Sequence, residues 1–307
     1  MSFTSRWYRR SLALILLISA VEFVPAAGQS HPAVEAIAAT PSVRVTVDPR
    51  EIVRRSVEAD QRNTKLVKNY TYQERVVEKR LDKDGRPKKQ EIKAYDISIL
   101  YGEPYRRLLQ RNDRPLKDDE EKKEEEKLNK FIAKYKNESP QDREKRLAEA
   151  DKRRGDQRAF AREIVDAYDF RLLGEEQVDG RSVFVIEATP RPDFRPKQPH
   201  ADLLSKFRGK IWIDKNEYQW VKMQAETIDT VSFGLFLLRL HKGSTLAFEQ
   251  TRVNDEIWLP RHVSVNASAR VALMMNTDIE QETTFSNYRK FVTDSRILPG
   301  MEEAQPR

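Results

Sequence analysis

From Val263 to Leu273 every second residue is apolar (Val263, Val265, Ala267, Ala269, Val271, Leu273), while Ser264, Asn266, Ser268 and Arg270 fall between them. Successive side chains of a strand point to opposite faces, so this spacing predicts a strand with one face buried and one face wet. The same rhythm runs through Tyr70 to Val77, about Lys89 to Tyr101, and Tyr105 to Gln110. It returns in Phe170 to Gln177, Ser182 to Thr189, Gly209 to Asp214, Trp220 to Thr227, Thr245 to Val253, Ile257 to Leu273 and Ile279 to Phe291. Turn residues punctuate these runs at Asp82-Lys83-Asp84-Gly85, Gly102-Glu103-Pro104, Val178-Asp179-Gly180 and Lys215-Asn216-Glu217. Pro190, Pro192, Pro196 and Pro199 keep the segment between 190 and 199 out of any central strand. Strands this long and this numerous curl when they pair, so the expected fold class is α+β, mainly β, built on one curved antiparallel sheet.

Two segments break the rhythm. Asp48-Pro49-Arg50-Glu51 places an acid, a proline and a glutamate where a helix start needs them, and predicts a helix covering the sheet with Ile52, Val53, Val57, Leu66 and Val67 on its apolar side. Residues 113–167 are densely charged, with Leu128, Phe131, Ile132, Leu147, Phe160, Ile164 and Val165 as sparse apolar anchors. Their spacing predicts a charged helical insertion touching the body along a narrow stripe. It reads either as a solvated arm held by local Glu/Lys pairs or as a lid or docking arm for a partner.

The N-terminus predicts export. Arg6, Arg9 and Arg10 precede an apolar run from Leu12 to Val24, too short to hold a membrane, and Ala26 and Gly28 suit a signal peptidase. The expected organisation is a signal peptide at 1–28, a flexible leader at 29–47, one domain at 48–292 carrying the insertion, and a C-terminal tail at 293–307. The formal charge of +7 includes three arginines and one glutamate of the signal. The remaining excess is spread through a chain that is 34% charged, which gives nucleic-acid binding no local support. With no cysteine, neither lipidation through a cysteine nor a disulfide framework is available, so stability must come from a core.

Signatures of catalysis are missing from the sequence. The four histidines, at 31, 200, 241 and 262, form no metal-binding spacing. Ser182 and Ser244 lack the flanking glycines of a nucleophile elbow, and ten glycines leave little room for a phosphate loop. Hence no enzyme activity and no cofactor are expected. The segment Thr230 to Leu240 is apolar on both parities, with Phe233, Leu235 and Leu237 on one and Phe236, Leu238 and Leu240 on the other. It reads as a cavity wall or lipid-touching element, or as a strand or short helix buried on both faces. Tyr70, Tyr72, Trp212, Trp220, Phe248, Trp258 and Phe285 sit at alternating strand positions where they would form core or line a hollow. The candidate lipid-binding residues are Tyr70, Tyr72, Trp212, Trp220, Phe233, Leu235, Phe236, Phe248 and Trp258, with His200 and Arg208 as candidates at the rim.

Gly209-Lys210-Ile211-Trp212-Ile213-Asp214-Lys215 followed by Trp220-Val221-Lys222-Met223, and the later Val253-Asn254-Asp255-Glu256-Ile257-Trp258-Leu259-Pro260-Arg261, resemble the outer-membrane lipoprotein-sorting family of LolA-like and LolB-like proteins. The likeness covers residues 48–110 and 168–292. It implies an unclosed half-barrel covered by helices, with an apolar hollow that accepts lipid chains, although the insertion at 113–167 is foreign to the compact carriers. The resemblance implies a periplasmic, non-enzymatic binder or carrier of lipid or of an acylated protein. The same half-barrel serves elsewhere as a sensor, so the alternative is an envelope scaffold that binds a partner protein through the charged arm.

Overall fold

A computed structural model describes residues 47–67, 69–82, 84–233, 238–271 and 275–290. The signal peptide, nearly all of the leader, and the C-terminal tail expected from the sequence lie outside the described residues. In chain order the elements are helix α1 (Pro49–Val67); strands β1 (Tyr70–Leu81), β2 (Pro87–Leu100), β3 (Glu103–Arg111) and β4 (Arg114–Pro115); and helices α2 (Asp118–Lys136) and α3 (Pro140–Ala167). Strands β5 (Tyr168–Val178) and β6 (Arg181–Pro190), a 3₁₀ segment (Ala201–Lys206), β7 (Phe207–Asp214), β8 (Trp220–Thr227), β9 (Val231–Phe233) and β10 (Leu238–Leu240) follow. The chain then forms β11 (Thr245–Val253), β12 (Ile257–Val271) and β13 (Met275–Lys290).

All strands join one curved, unclosed antiparallel sheet of order β4-β3-β2-β1-β13-β12-β11-β8-β7-β6-β5, with β10 pairing β12 and β9. The mainly β, α+β half-barrel is therefore as the sequence predicts. The sheet runs as a meander from each edge toward its middle, where β1 meets β13 from Tyr70 opposite Lys290 to Leu81 opposite Asp278. Edge strands β4 and β5 are neighbours in sequence apart from the helical insertion, yet lie at opposite ends of the sheet. At 1.5 Å per residue, the 28 residues of α3 reach about 42 Å, enough to carry the chain across.

Local chemistry fixes the elements. The Arg50 N–H donates to Asp48 Oδ1 at 3.0 Å, giving α1 its start. Glu51 does not reach back to the cap; hydrogen bonds from Arg54 and Arg55 hold its carboxyl down at about 2. Ile52, Val53 and Val57 are buried against Phe184, Ile186, Ile211, Ile213 and Trp220. Leu66, expected on the same side, is 42% exposed, because it follows Val57 by about two and a half helical turns and so points the opposite way. Asp179 and Gly180 both take positive φ, which suits the tight turn between β5 and β6. Between β7 and β8, the fully buried Asp214 accepts the N–H groups of Asn216 at 2.9 Å and Glu217 at 2.7 Å through Oδ1.

The charged insertion is tied down at both ends and bare in the middle. Buried Glu124 of α2 accepts the N–H of Leu108 at 3.2 Å, and the Phe131 ring lies 4.9 Å from Tyr105, so α2 lies against the outermost long strand, β3. Arg146 of α3 bridges Glu103 and Glu138, both at 2.8 Å. At the far end Ile164 and Val165 pack beneath α1, and Phe160 packs against the 3₁₀ segment. Leu147, an anchor in the sequence reading, is 47% exposed. Replacing Glu124 by leucine orphans a buried N–H and is expected to cost about 1–3 kcal/mol, measured by urea unfolding. No measurable change would mean that the strand edge is satisfied by water.

Candidate binding face of the sheet

Directly paired residues share a face, and pairing runs unbroken across most of the sheet. Ile186, Ile211, Met223, Phe248, Val263 and Thr283 are successive partners from β6 to β13, and Thr283 in turn pairs with Val76 of β1. This is the inner face, on which α1 lies. Among the described residues, besides the cluster where Ala188 and Phe170 pack with Ala201 and Leu204 of the 3₁₀ segment, three apolar clusters run along it. The first is closed by α1 and the end of α3 over β5 to β8, with Trp220 donating its indole N–H to Ser56 of α1. The second lies at the other end of α1, where Tyr70, Ile257 and Leu259 pack with Val67.

The third differs in composition. Buried Phe248 and Val263 pack with half-buried Met223, Ala225, Leu246 and Phe285, all strand residues; Met223 also packs against the first cluster, and among the described residues no helix residue belongs to the third. Tyr72 extends the strip, its ring 5.9 Å from Phe285 and 5.5 Å from Tyr288. Burial raises the hydroxyl pKa of both tyrosines, and the Glu74 carboxylate adds to the effect. Tyr288 donates its hydroxyl hydrogen to the Pro260 carbonyl. Beside Phe285, Glu74 accepts from Arg106 Nε at 2.6 Å, and the Arg106 guanidinium lies 3.4 Å above the Tyr95 ring.

The outer face of the same strands is apolar underneath and charged on top. Trp212 and Trp258 are buried there with Val183, Val185 and Val221. Their indole N–H groups donate to Glu176 at 2.8 Å and Glu217 at 3.0 Å, and Lys222 and Arg181 lie over their rings. Burial alone would raise the Glu249 carboxyl, but Arg261 and Lys222 hold it below its ordinary value.

The nine aromatic and aliphatic candidates from the sequence therefore separate. Tyr72 and Phe248 lie on the open strip; Tyr70 and Trp220 are on the inner face but closed over by α1; Trp212 and Trp258 are on the outer face. A bulge on β8 at Val221 brings Trp220 inward opposite Ile213, on the face that Met223 already shares. Leu235 and Phe236 lie outside the described residues, as does the side chain of Phe233. On either side of residues 234–237, β9 and β10 pair antiparallel, Phe233 opposite Leu238. His200 is exposed at the start of the 3₁₀ segment, and Arg208 pairs with Glu226 at 2.9 Å on the outer face, so neither stands at the strip.

The sequence reading did not single out Met223, Glu74 or Arg106. Their signal was the register, which single-strand alternation does not carry. Among the described residues no group of three or more His, Asp or Glu side chains is placed to hold a metal ion. No described helix is long and apolar enough to cross a membrane. What the strip can do chemically is remove hydrocarbon from water.

No family model and no curated protein sequence matches the chain. Among solved structures, it is similar to a DUF1329 family protein from Desulfovibrio piger, with 16% identity, 82% of this chain and 96% of that chain covered, and a TM-score of 0.30. It is similar to a LolA superfamily protein from Nitrosomonas europaea, with 10% identity, 80% and 95% covered, and a TM-score of 0.28. It is also similar to the MucA/MucB complex structure from Pseudomonas aeruginosa, with 12% identity, 80% and 100% covered, and a TM-score of 0.23. Likeness at this level carries no residue role from those proteins to this chain.

Proposed function

We propose that this chain is a periplasmic, non-enzymatic binder or carrier of lipid or protein-linked acyl chains, held against the inner face of the half-barrel. One observation carries the reading: among the described residues, the cluster around Phe248 and Val263 is built from one sheet face, with Met223, Ala225, Leu246 and Phe285 only half buried. Burying a methylene there is worth roughly 0.8 kcal/mol, so an acyl chain needs a trough and no catalytic group. Removal from water is reversible, as a carrier requires.

The test is native mass spectrometry of the exported protein, with Val265→Glu as the variant. Val265 pairs with Leu246 inside the strip and is half buried, so the substitution puts a charge on the trough floor with little loss of packing. Co-purified lipid, or a bound fluorescent acyl probe, is expected with wild type and at least about tenfold weaker binding with the variant. Wild-type protein free of lipid and indifferent to the probe would sink the proposal.

A second reading has its own observation. A cavity of about 520 Å³ lies along the bare part of α3, lined by Glu138, Arg143, Glu144 and the exposed Leu147 among others, and a partner protein would dock there. In that case Leu147→Asp abolishes capture of the partner while lipid binding is unchanged.

A further inference from the structure

We propose that the Glu74–Arg106 ion pair is the headgroup end of the inner-face strip and selects an amphiphile with a zwitterionic head, one that carries an ammonium and a phosphate. The inference rests on the acyl-binding reading above and adds the class of ligand.

Position comes first. Glu74 pairs directly with Phe285, which belongs to the strip, and on its other side with Tyr95. The ion pair thus borders the strip on the same face, with Ile97 and Leu108 buried on its far side. Arg106 is on β3 and Glu74 on β1, so their contact reaches across β2 and encloses Tyr95 beneath the guanidinium. The side chains are 31% and 15% exposed, which leaves the pair half out of water yet open to a ligand. Tyr72 and Tyr288 stand beside it; burial keeps both hydroxyls protonated, and since Tyr288 gives its hydrogen to the Pro260 carbonyl, Tyr72 is the one able to donate.

The charge balance then chooses the head. A carboxylate or phosphate monoester drawn to Arg106 meets Glu74 as a like charge in a low-dielectric setting, and an amine drawn to Glu74 meets Arg106 in the same way. A head carrying both signs satisfies both members at once, its phosphate on the guanidinium and its ammonium on the carboxylate and the tyrosine faces. A pair that served only to clamp β1 to β3 would show no such preference.

The test is displacement of a fluorescent acyl probe from the wild-type protein by lysophosphatidylethanolamine, lysophosphatidic acid, palmitate and hexadecylamine, all with matched chains. The zwitterion is expected to compete at about tenfold lower concentration than any of the single-sign amphiphiles. Glu74→Gln should move the preference to lysophosphatidic acid and palmitate, and Arg106→Gln should move it to hexadecylamine. Equal competition by all four in wild type overturns the headgroup assignment while leaving the trough intact. So does an unchanged order in variants that only lose thermal stability. A wild-type protein that fails to bind the probe overturns both readings together. Should a single variant unfold, the wild-type order alone decides.

Discussion

Trp220→Ala is expected to lower the stability of the protein by about 3–5 kcal/mol, the largest loss any single apolar truncation in this core should cause. The indole fills the space between α1 and the sheet, packed with Ile52, Val53, Val57 and Ile213, and its N–H reaches the fully buried hydroxyl of Ser56. Alanine leaves a cavity that rigid strands on one side and a helix on the other cannot close, and it strands a buried hydroxyl as well. Urea unfolding followed by far-ultraviolet circular dichroism measures the loss. A change below about 1 kcal/mol would mean that α1 does not dock through this residue.

Gly209→Ala is expected to be nearly as damaging for the opposite reason, too much matter rather than too little. Gly209 pairs with Ala225 on β8, and a Cβ there would overlap the Gln224 carbonyl oxygen and sit 3.1 Å from the Ala225 Cα. These are backbone atoms of a paired strand, so relief requires β7 and β8 to separate and Ile211 and Ile213 to lose their seats under α1. The expected cost is about 3 kcal/mol, or a drop of about 6 °C or more in Tm. Gly155 is the matched control. It lies within α3 with nothing within 4 Å of an added Cβ, so Gly155→Ala should leave stability unchanged or raise it by up to about 1 kcal/mol. Equal effects at the two positions would contradict the packing described for β7.

The strands were legible because alternation is a local property. Trp220–Thr227 and Thr245–Val253 have the same ends in sequence and structure, and Asp179-Gly180 makes the turn its residues imply. What alternation does not carry is which parity faces the helix. Gly209 to Asp214 is apolar at Ile211, Trp212 and Ile213, and only the arrival of α1 decides that the isoleucines go in and the tryptophan goes out. Trp258 escaped for the same reason, since Ile257 and Leu259 on either side of it take the inner face. The strip itself was half legible: Val263 and Phe248 stood out, whereas Glu74 and Arg106 become neighbours only when β1, β2 and β3 are in register. The dense charge of the insertion at 113–167 fits a solvated arm and a docking arm alike, and hides its contacts with the sheet. Its attachments include Glu120, Glu124, Phe131 and Arg146 toward β3 and Phe160, Glu163, Ile164 and Val165 at the other end.

The meeting of β1 with β13 has a consequence for how the molecule is made. These strands come from near the beginning and the end of the described chain, yet their ladder is the seam that joins the two halves of the sheet. Each half can zip locally by hairpins, but the seam waits for β13 to leave the ribosome and must then close a very long loop. A chain stopped before Met275 would hold two part-sheets with raw edges where the seam should be, a species prone to sticking to its own kind. The inner-face strip, which draws Tyr72 from one half and Phe248, Val263 and Phe285 from the other, is therefore complete only in the finished molecule.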